Sequence, residues 1–566
     1  MRRNQCIIAL QKPGSKKNTS RNYDIGHLFA ALIVITYQCK NVRCTMNIDV
    51  DLTRKTFQAD HRYPEAGSEE ETRIFKEIQS RFARQFIEIF PDKLAAKTVV
   101  IIPSLTLDQE ILTKLEGQIH YEERLLCMLM LLRMPATNLV YVTSEPVDES
   151  IVDYYLHLLP GITGCHASQR LTMLSCYDAS PRSLTEKILE RPRLIGRIKR
   201  LFAGNNAAHI ACFNSTALEK TLAVRLGIPI YGTDPDLLNL GTKSGSRELF
   251  KECGILTPPG FENLKTKKDI IAAIAALKRA DPSLRKAVIK MNDGFSGDGN
   301  AVYNYNTGQS TELLENTIES NFEMQLQIVA KDLSKKLFLT KFEQMGGIAE
   351  AFLDGDITAS PSVQCRIDPI GKSEIISTHD QLLGGTDNQV FLGAHFPASP
   401  EYATAIAADA KQICKKLALK GVVGRFSIDF ISVRNGCEWK NYAIEVNLRK
   451  GGTTHPYLML QFLTDGQYNE FNGEYLTFGG NKRFYFSSDN VCDQKYRGLT
   501  PQDLIDIAMF HSLMYNSNTQ EGVTFHLVGA LSQYGKLGVV CIGSSPERAR
   551  LYFEKVIEVL DLECDK

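Results

Sequence analysis

Apolar positions along the chain fall into two rhythms. Ile74, Ile78, Phe82, Phe86 and Ile89 recur every three or four residues with charged residues between them, which predicts an amphipathic helix over 69–90. From about 95 to 235 the rhythm changes to short apolar runs separated by helical periods. Thr98 to Ile102, Leu139 to Val142 and Ile210 to Phe213 read as buried strands, and Ile228 to Tyr231 is a further apolar run. Tyr121 to Arg133 and Ser215 to Leu226 read as helices. Strands alternating with helices predict a parallel sheet with crossover helices. The glycines of this region form no G-x-G-x-x-G, so nothing assigns it a dinucleotide.

Beyond residue 240 the strands pair around turns. Lys286 to Lys290 is a short apolar strand that leads into a loop holding Gly294, Ser296, Gly297 and Gly299, after which the chain returns to apolar residues. Gly347 to Leu353 reads as a strand carrying Glu350, with a turn at Asp354-Gly355 and another strand after it. Ser360 to Ile367, Arg425 to Ile431 and Tyr442 to Asn447 are further strands. Residues 466–500 hold Gly466, Gly473, Gly479 and Gly480 among several Asn and Tyr, and read as a loop-rich connection. The last stretch predicts a helix from Pro501 to Tyr515, strands from Thr524 to Ser532 and Gly538 to Gly543, and a helix from Ser545 to Leu560. Thr500 before Pro501 and Ser545 before Pro546 supply the helix starts.

The candidate chemistry sits on these strands. Glu445 and Asn447 are two apart, so on a strand both side chains leave one face. Asp429 is flanked by Ile428 and Phe430, which point to the opposite, apolar face. Three hard oxygen donors without a neighbouring Cys or His suit Mg2+, with Mn2+ as the alternative, and not zinc. An antiparallel pair with solvent-facing charges accounts for the spacing equally well. In the glycine loop, backbone N–H groups can approach phosphate oxygens, and Lys290 adds charge beside them; a plain tight turn is the other reading. A carboxylate at the end of a strand, as at Glu350, can accept hydrogen bonds from a ribose.

These motifs in this order resemble the ATP-grasp superfamily of carboxylate–amine ligases. Thr242-Lys243-Ser-Gly-Ser-Arg, with Gly254 and Pro258 closing its helix, looks like the family's lysine-bearing helix. Val99-Val-Ile-Ile-Pro103-Ser104, Glu445-Val-Asn-Leu-Arg-Lys-Gly-Gly-Thr-Thr-His455-Pro456 and the tail Val523-Thr-Phe-His526 to Tyr534-Gly-Lys-Leu-Gly are similar to peptide ligases of the pheganomycin type. The resemblance implies an α/β and α+β multidomain chain. Its parts are an extension (1–45), a helical segment (46–94), a Rossmann-like domain (95–240), a two-lobed catalytic grasp (241–465), a connection (466–499) and a small α+β domain (500–566). It implies ATP and Mg2+ as cofactors, with small carboxylate and amine or peptide substrates. Lys243 and Lys290 would contact phosphates, Glu350 would face the adenosine, and Asp429, Glu445 and Asn447 would hold the metal. Arg449 would bind the substrate carboxylate or the acyl phosphate. Arg425 lies four residues before Asp429 where many relatives carry an arginine two before it, a position held here by Ser427. Arg366 would need to point inward to act. His379-Asp-Gln and Gly451 to His455 read as positioning loops over the site.

Composition narrows the partners. In 566 residues, Lys+Arg and Asp+Glu are both 65, so no global basic field argues for nucleic acid. The 14 cysteines form no C-x-x-C pair and read as reduced thiols, which points to the cytoplasm. Residues 1–23 carry Arg2, Arg3, Lys12, Lys16, Lys17 and Arg21 and no acid, followed by an apolar run from Leu28 to Thr36 that is short for a membrane span. A nucleotide-binding but catalytically idle scaffold is the alternative function. A ligase with a thiol acceptor is a third.

Overall fold

The computed structural model describes residues 63–107, 112–113, 117–204, 207–294, 299–305, 314–330, 333–384 and 390–565. The expectations for the basic start, the Leu28 to Thr36 run, Ser296 and Gly297 lie outside these residues. No helix among the described residues is long and apolar enough to cross a membrane.

The first amphipathic period is the helix Glu69–Glu88, capped by Ser68 and buried through Phe75, Ile78 and Phe82. The alternating region forms a four-stranded parallel sheet in the order Leu171–Ser175, Thr137–Thr143, Lys97–Ile102, Ala208–Cys212. The apolar run at Ile228 to Tyr231 adds one parallel bridge, Ile210 to Ile230. The helix expected from Tyr121 is wound as a 3-10 helix, Gln118–Arg133. Its buried leucines and methionines pack against both the parallel sheet and the C-terminal strands.

Two antiparallel sheets build the rest. The smaller has five strands in the order Gly260–Leu264, Gly347–Ala351, Lys286–Met291, Asn300–Asn304, Leu326–Ile328. The larger has nine. Near one end of it, the strand Gly424–Asn435 pairs with Pro361–Ile367 on one side and with Glu438–Asn447 and Ile357–Ala359 on the other. From Pro361–Ile367 the sheet continues through Ser373–Gly384 and Val390–Phe396 to Phe484–Cys492, Lys536–Gly543 and Gly522–His526. The helix Ala403–Leu419 covers one face, burying Ile406, Ala410, Ile413 and Leu417 at about 1.5–3 kcal/mol for each large side chain.

Three elements differ from the sequence reading. The segment 466–499 contains the nine-residue strand Phe484–Cys492, whose Tyr485, Phe486 and Val491 are core residues. The helix from Pro501 stops at Phe510, because Ser512 takes a left-handed backbone. The first C-terminal strand stops at His526, where Leu527 does the same.

Candidate active site

A cleft of about 1000 Å³ runs between the five-stranded and nine-stranded sheets, and the 3-10 helix closes one end. Lys243, Lys290, Gly294, Gly299, Glu350, Asp429, Glu445, Asn447 and Arg449 all line it.

Thr242 caps the helix Lys243–Glu252 by accepting a hydrogen bond from Gly245 N, which sets Lys243 at the first helical position. Gly245 has no substitute here, since a Cβ would stand 2.0 Å from the Asn239 carbonyl oxygen. Asn292 joins this helix start to the strand bearing Lys290: its carbonyl accepts from Lys243 N and its Oδ1 from Ser244 N at 3.0 Å. The Lys243 ammonium pairs with Glu445 across the cleft.

Lys290 and Glu350 stand on neighbouring strands and form a buried ion pair. The other Glu350 oxygen accepts from Arg247 Nη1 at 3.1 Å, and Arg247 Nε donates to Glu262 at 3.3 Å. Each Glu350 oxygen thus accepts from one cation, which orients Lys290, and each keeps a second acceptor direction while the residue lines the cleft. Arg247 is 2% exposed and was not singled out in the sequence. Its signal is spacing: four residues after Lys243, it shares that residue's helix face.

The acidic wall follows from strand register. Asp429 is directly opposite Glu445, and Ser427 opposite Asn447, so all four side chains face the cleft. On the other flank Ser362 is opposite Asp429. Asp429 Oδ1 accepts from Ser362 Oγ at 2.7 Å and from Gln381 Nε2 at 3.1 Å, while Oδ2 accepts from Asn447 Nδ2 at 2.8 Å. Arg449 Nη1 donates to Asn447 Oδ1 at 2.6 Å. Burial, and after it the facing Glu445 carboxylate, push the Asp429 carboxyl up to about 6. Among the described residues no three His, Cys, Asp or Glu side chains gather as a metal site, so this wall consists of two carboxylates and one amide.

The looser candidates separate cleanly. Arg425 is opposite Arg366 in the sheet and does not line the cleft; burial and then Arg366 lower its pKa, and its Nη1 has no partner among the described residues. Arg366 pairs with Glu374 on Ser373–Gly384. The stretch His379-Asp380-Gln381, expected as a loop, belongs to that strand. His379 is buried with Nε2 2.6 Å from Tyr485 Oη, and burial lowers its pKa to about 3. His455 is likewise buried outside the cleft lining, with Nδ1 3.0 Å from the Arg124 carbonyl oxygen. Gly451, Gly452 and Thr453 do line the cleft. A Cβ on Gly452 would stand 2.6 Å from the Phe391 ring. Ser362 escaped the sequence reading, and Gln381 was read only as part of a loop, because only strand pairing brings them to Asp429.

Comparison with known proteins follows the same geography. Residues 237–333 and 323–470 match the family described as IQCH-like, ATP-grasp, and residues 503–556 match the PGM1 C-terminal domain. An L-propargylglycine–L-glutamate ligase of Streptantibioticus cattleyicolor is 27% identical over 466 residues, covering 80% of this chain and 92% of that protein. IQ motif-containing protein H of Danio rerio is 24% identical over 423 residues, which are 66% of this chain and 40% of that longer protein. Among solved structures, the ADP complex of N5-carboxyaminoimidazole ribonucleotide synthetase aligns with a TM-score of 0.48 and 13% identity, over 83% of this chain and 98% of that one.

Proposed function

The chain belongs to the ATP-grasp superfamily through residues 237–470, and from that premise we infer that it is an ATP-dependent ligase joining an amino-acid-like carboxylate to an amine. One observation carries the reading: two lysines from one wall and two carboxylates with an asparagine from the other converge on a single cleft. A scaffold that only binds nucleotide has no need of the acidic set.

In this reaction the substrate carboxylate oxygen attacks the γ-phosphorus of ATP, and ADP leaves. The amine nitrogen then attacks the acyl carbon, phosphate departs as the C–O bond breaks, and the nitrogen loses a proton. The protein's work is alignment and charge neutralisation. Lys290, held by Glu350, would meet phosphate oxygens together with backbone N–H groups near Gly294 and Gly299. Lys243 would leave Glu445 for the terminal phosphate. Arg449 carries a planar fork suited to the carboxylate or to the acyl phosphate.

Asp429, Glu445 and Asn447 would hold Mg2+ or Mn2+. The donor set fits: its oxygens are hard, and Asp429 is short of positive charge because Glu445 faces it. When bound, such an ion neutralises charge on the phosphate oxygens. The test is an incubation with ATP, Mg2+, hydroxylamine and a panel of amino acids and peptides. Hydroxamate and ADP formed with one class of carboxylate are expected, and neither product from any carboxylate would leave the idle scaffold as the reading.

A further inference from the structure

The cleft does not end at the nucleotide machinery. Its far wall is built by the 3-10 helix and the C-terminal strands, which contribute Tyr121, Arg124, Asp489, Asn490 and Lys536. A 3-10 helix has three residues per turn, so positions three apart stand in line along it. Tyr121 and Arg124 are such a pair: the guanidinium lies over the phenol ring, 4.2 Å from its centroid. Lys536, first residue of the strand Lys536–Gly543, stands 5.4 Å from the same centroid and donates to Tyr121 Oη at 3.0 Å. One ring therefore carries two cations.

The two cations differ in what balances them. Arg124 Nη2 donates to the buried Asp489 carboxylate at 2.8 Å. Lys536 meets no carboxylate among the described residues and donates to Tyr121 Oη. Arg124 Nε is also buried and has no hydrogen-bond partner among the described residues. The far wall thus carries one positive charge in excess, and it has an unused N–H from Arg124 beside that charge. Lys536 and Arg124 are both partly exposed on the cleft wall, so an anion entering from the cleft can reach them, and the imbalance equals one monoanion. A carboxylate supplies that charge and two acceptor oxygens, one for an ammonium and one for a guanidinium N–H.

We propose that the Tyr121–Arg124–Lys536 wall is a subsite for a carboxylate that takes no part in the reaction, carried by one of the two substrates. It rests on the ligase reading for the word substrate, and on the cleft alone for the anion. Placed in the same cavity as Asp429 and Arg449 but on separate elements, it selects substrates bearing a second carboxylate at the end remote from the bond being made. An acidic or free α-carboxylate substrate is retained, and its amide is refused.

The test compares wild type, Lys536→Gln and Lys536→Arg in thermal melts with ADP, Mg2+ and each of the twenty common amino acids or its carboxamide. At least one amino acid is expected to raise the wild-type Tm by several degrees. That rise should vanish for the carboxamide, fall by at least half in Lys536→Gln and persist in Lys536→Arg. A response equal in wild type and Lys536→Gln, or none to any amino acid, overturns the subsite. If the wild type makes neither hydroxamate nor ADP while the charge-dependent rise persists, the ligase reading falls and the subsite stands. In an active enzyme the owner of the carboxylate is read from kinetics: Lys536→Gln raises KM about tenfold or more for the donor in the hydroxamate assay, or for the amine acceptor in the amide assay. Unchanged KM for both also overturns it.

Discussion

Asp429 and Asp489 are two carboxylates on one sheet, the first half-buried and the second buried, lining one cleft, and burial acts on them in opposite company. For both, burial is the largest influence and pushes the pKa up. At Asp489 the Arg124 charge and the hydrogen bond with His526 Nε2, 2.8 Å away, outweigh burial and hold the carboxyl well below the usual carboxylate range. At Asp429 the hydrogen-bond donors are neutral, from Ser362, Gln381 and Asn447, and after burial the strongest influence is the facing Glu445 carboxylate. Hydrogen bonds alone do not offset both burial and a facing anion. Asp489 is a finished structural ion pair. Asp429 faces a carboxylate, and the Arg449 and Lys243 charges do not make up for burial and that anion.

Breaking each carboxylate's surroundings separates the two roles. The largest effect is expected from Asp429→Asn, which should lower turnover about a thousandfold, the scale of losing one electrostatic contact at a reacting centre. The same change should raise the Tm of metal-free protein at pH 7. The sign follows from the raised folded pKa: an unfolded aspartate near 3.9 releases its proton more readily, so ionisation penalises the fold above about pH 6 and not below about pH 4. The stabilisation should therefore shrink as pH falls from 6 to 4, and a Tm gain that is flat with pH would refute it.

At the other carboxylate the outcome reverses. Arg124→Met strands Asp489 without its guanidinium and should cost about 3–5 kcal/mol in denaturant unfolding, with Asp489→Asn in the same chain recovering part of the loss. A loss below 1 kcal/mol would remove the contrast. A smaller effect sharpens it: Mn2+ affinity in titration should weaken as pH drops through about 6, because binding needs the ionised Asp429. The smallest is Lys290→Ala, which should weaken ATP binding about tenfold while leaving Asp429→Asn melts unaltered in their pH dependence, since Lys290 is paired with Glu350.

Much of this was legible before the fold. The spacing of Glu445 and Asn447 and the apolar neighbours of Asp429 encode strand faces directly, and the run before Lys290 encodes the strand that ends beside the cleft. Arg247 was readable from its helix face but was passed over. The contacts of Ser362, Gln381 and Lys536 were not, because they reach the cleft through pairing with strands distant in sequence, and single-chain periodicity carries no register between strands. The histidines expected in loops over the site are instead buried outside the cleft lining, where burial lowers their pKa. Arg425 misled because four residues along a strand keeps the face but moves about 13 Å along it, past the cleft.

The nine-stranded sheet has one further consequence, for anyone shortening this chain. Phe484–Cys492 pairs with Val390–Phe396, so the C-terminal strands are what keeps that central strand from being a border. A chain ending near residue 470 would keep every lysine and carboxylate of the phosphate end and still present a bare row of backbone N–H and C=O groups along Val390–Phe396. Such a border recruits other chains. The catalytic grasp and the C-terminal part are sequential in the gene product but inseparable as folded matter, and a truncated grasp should be recovered as aggregate before it is recovered as enzyme.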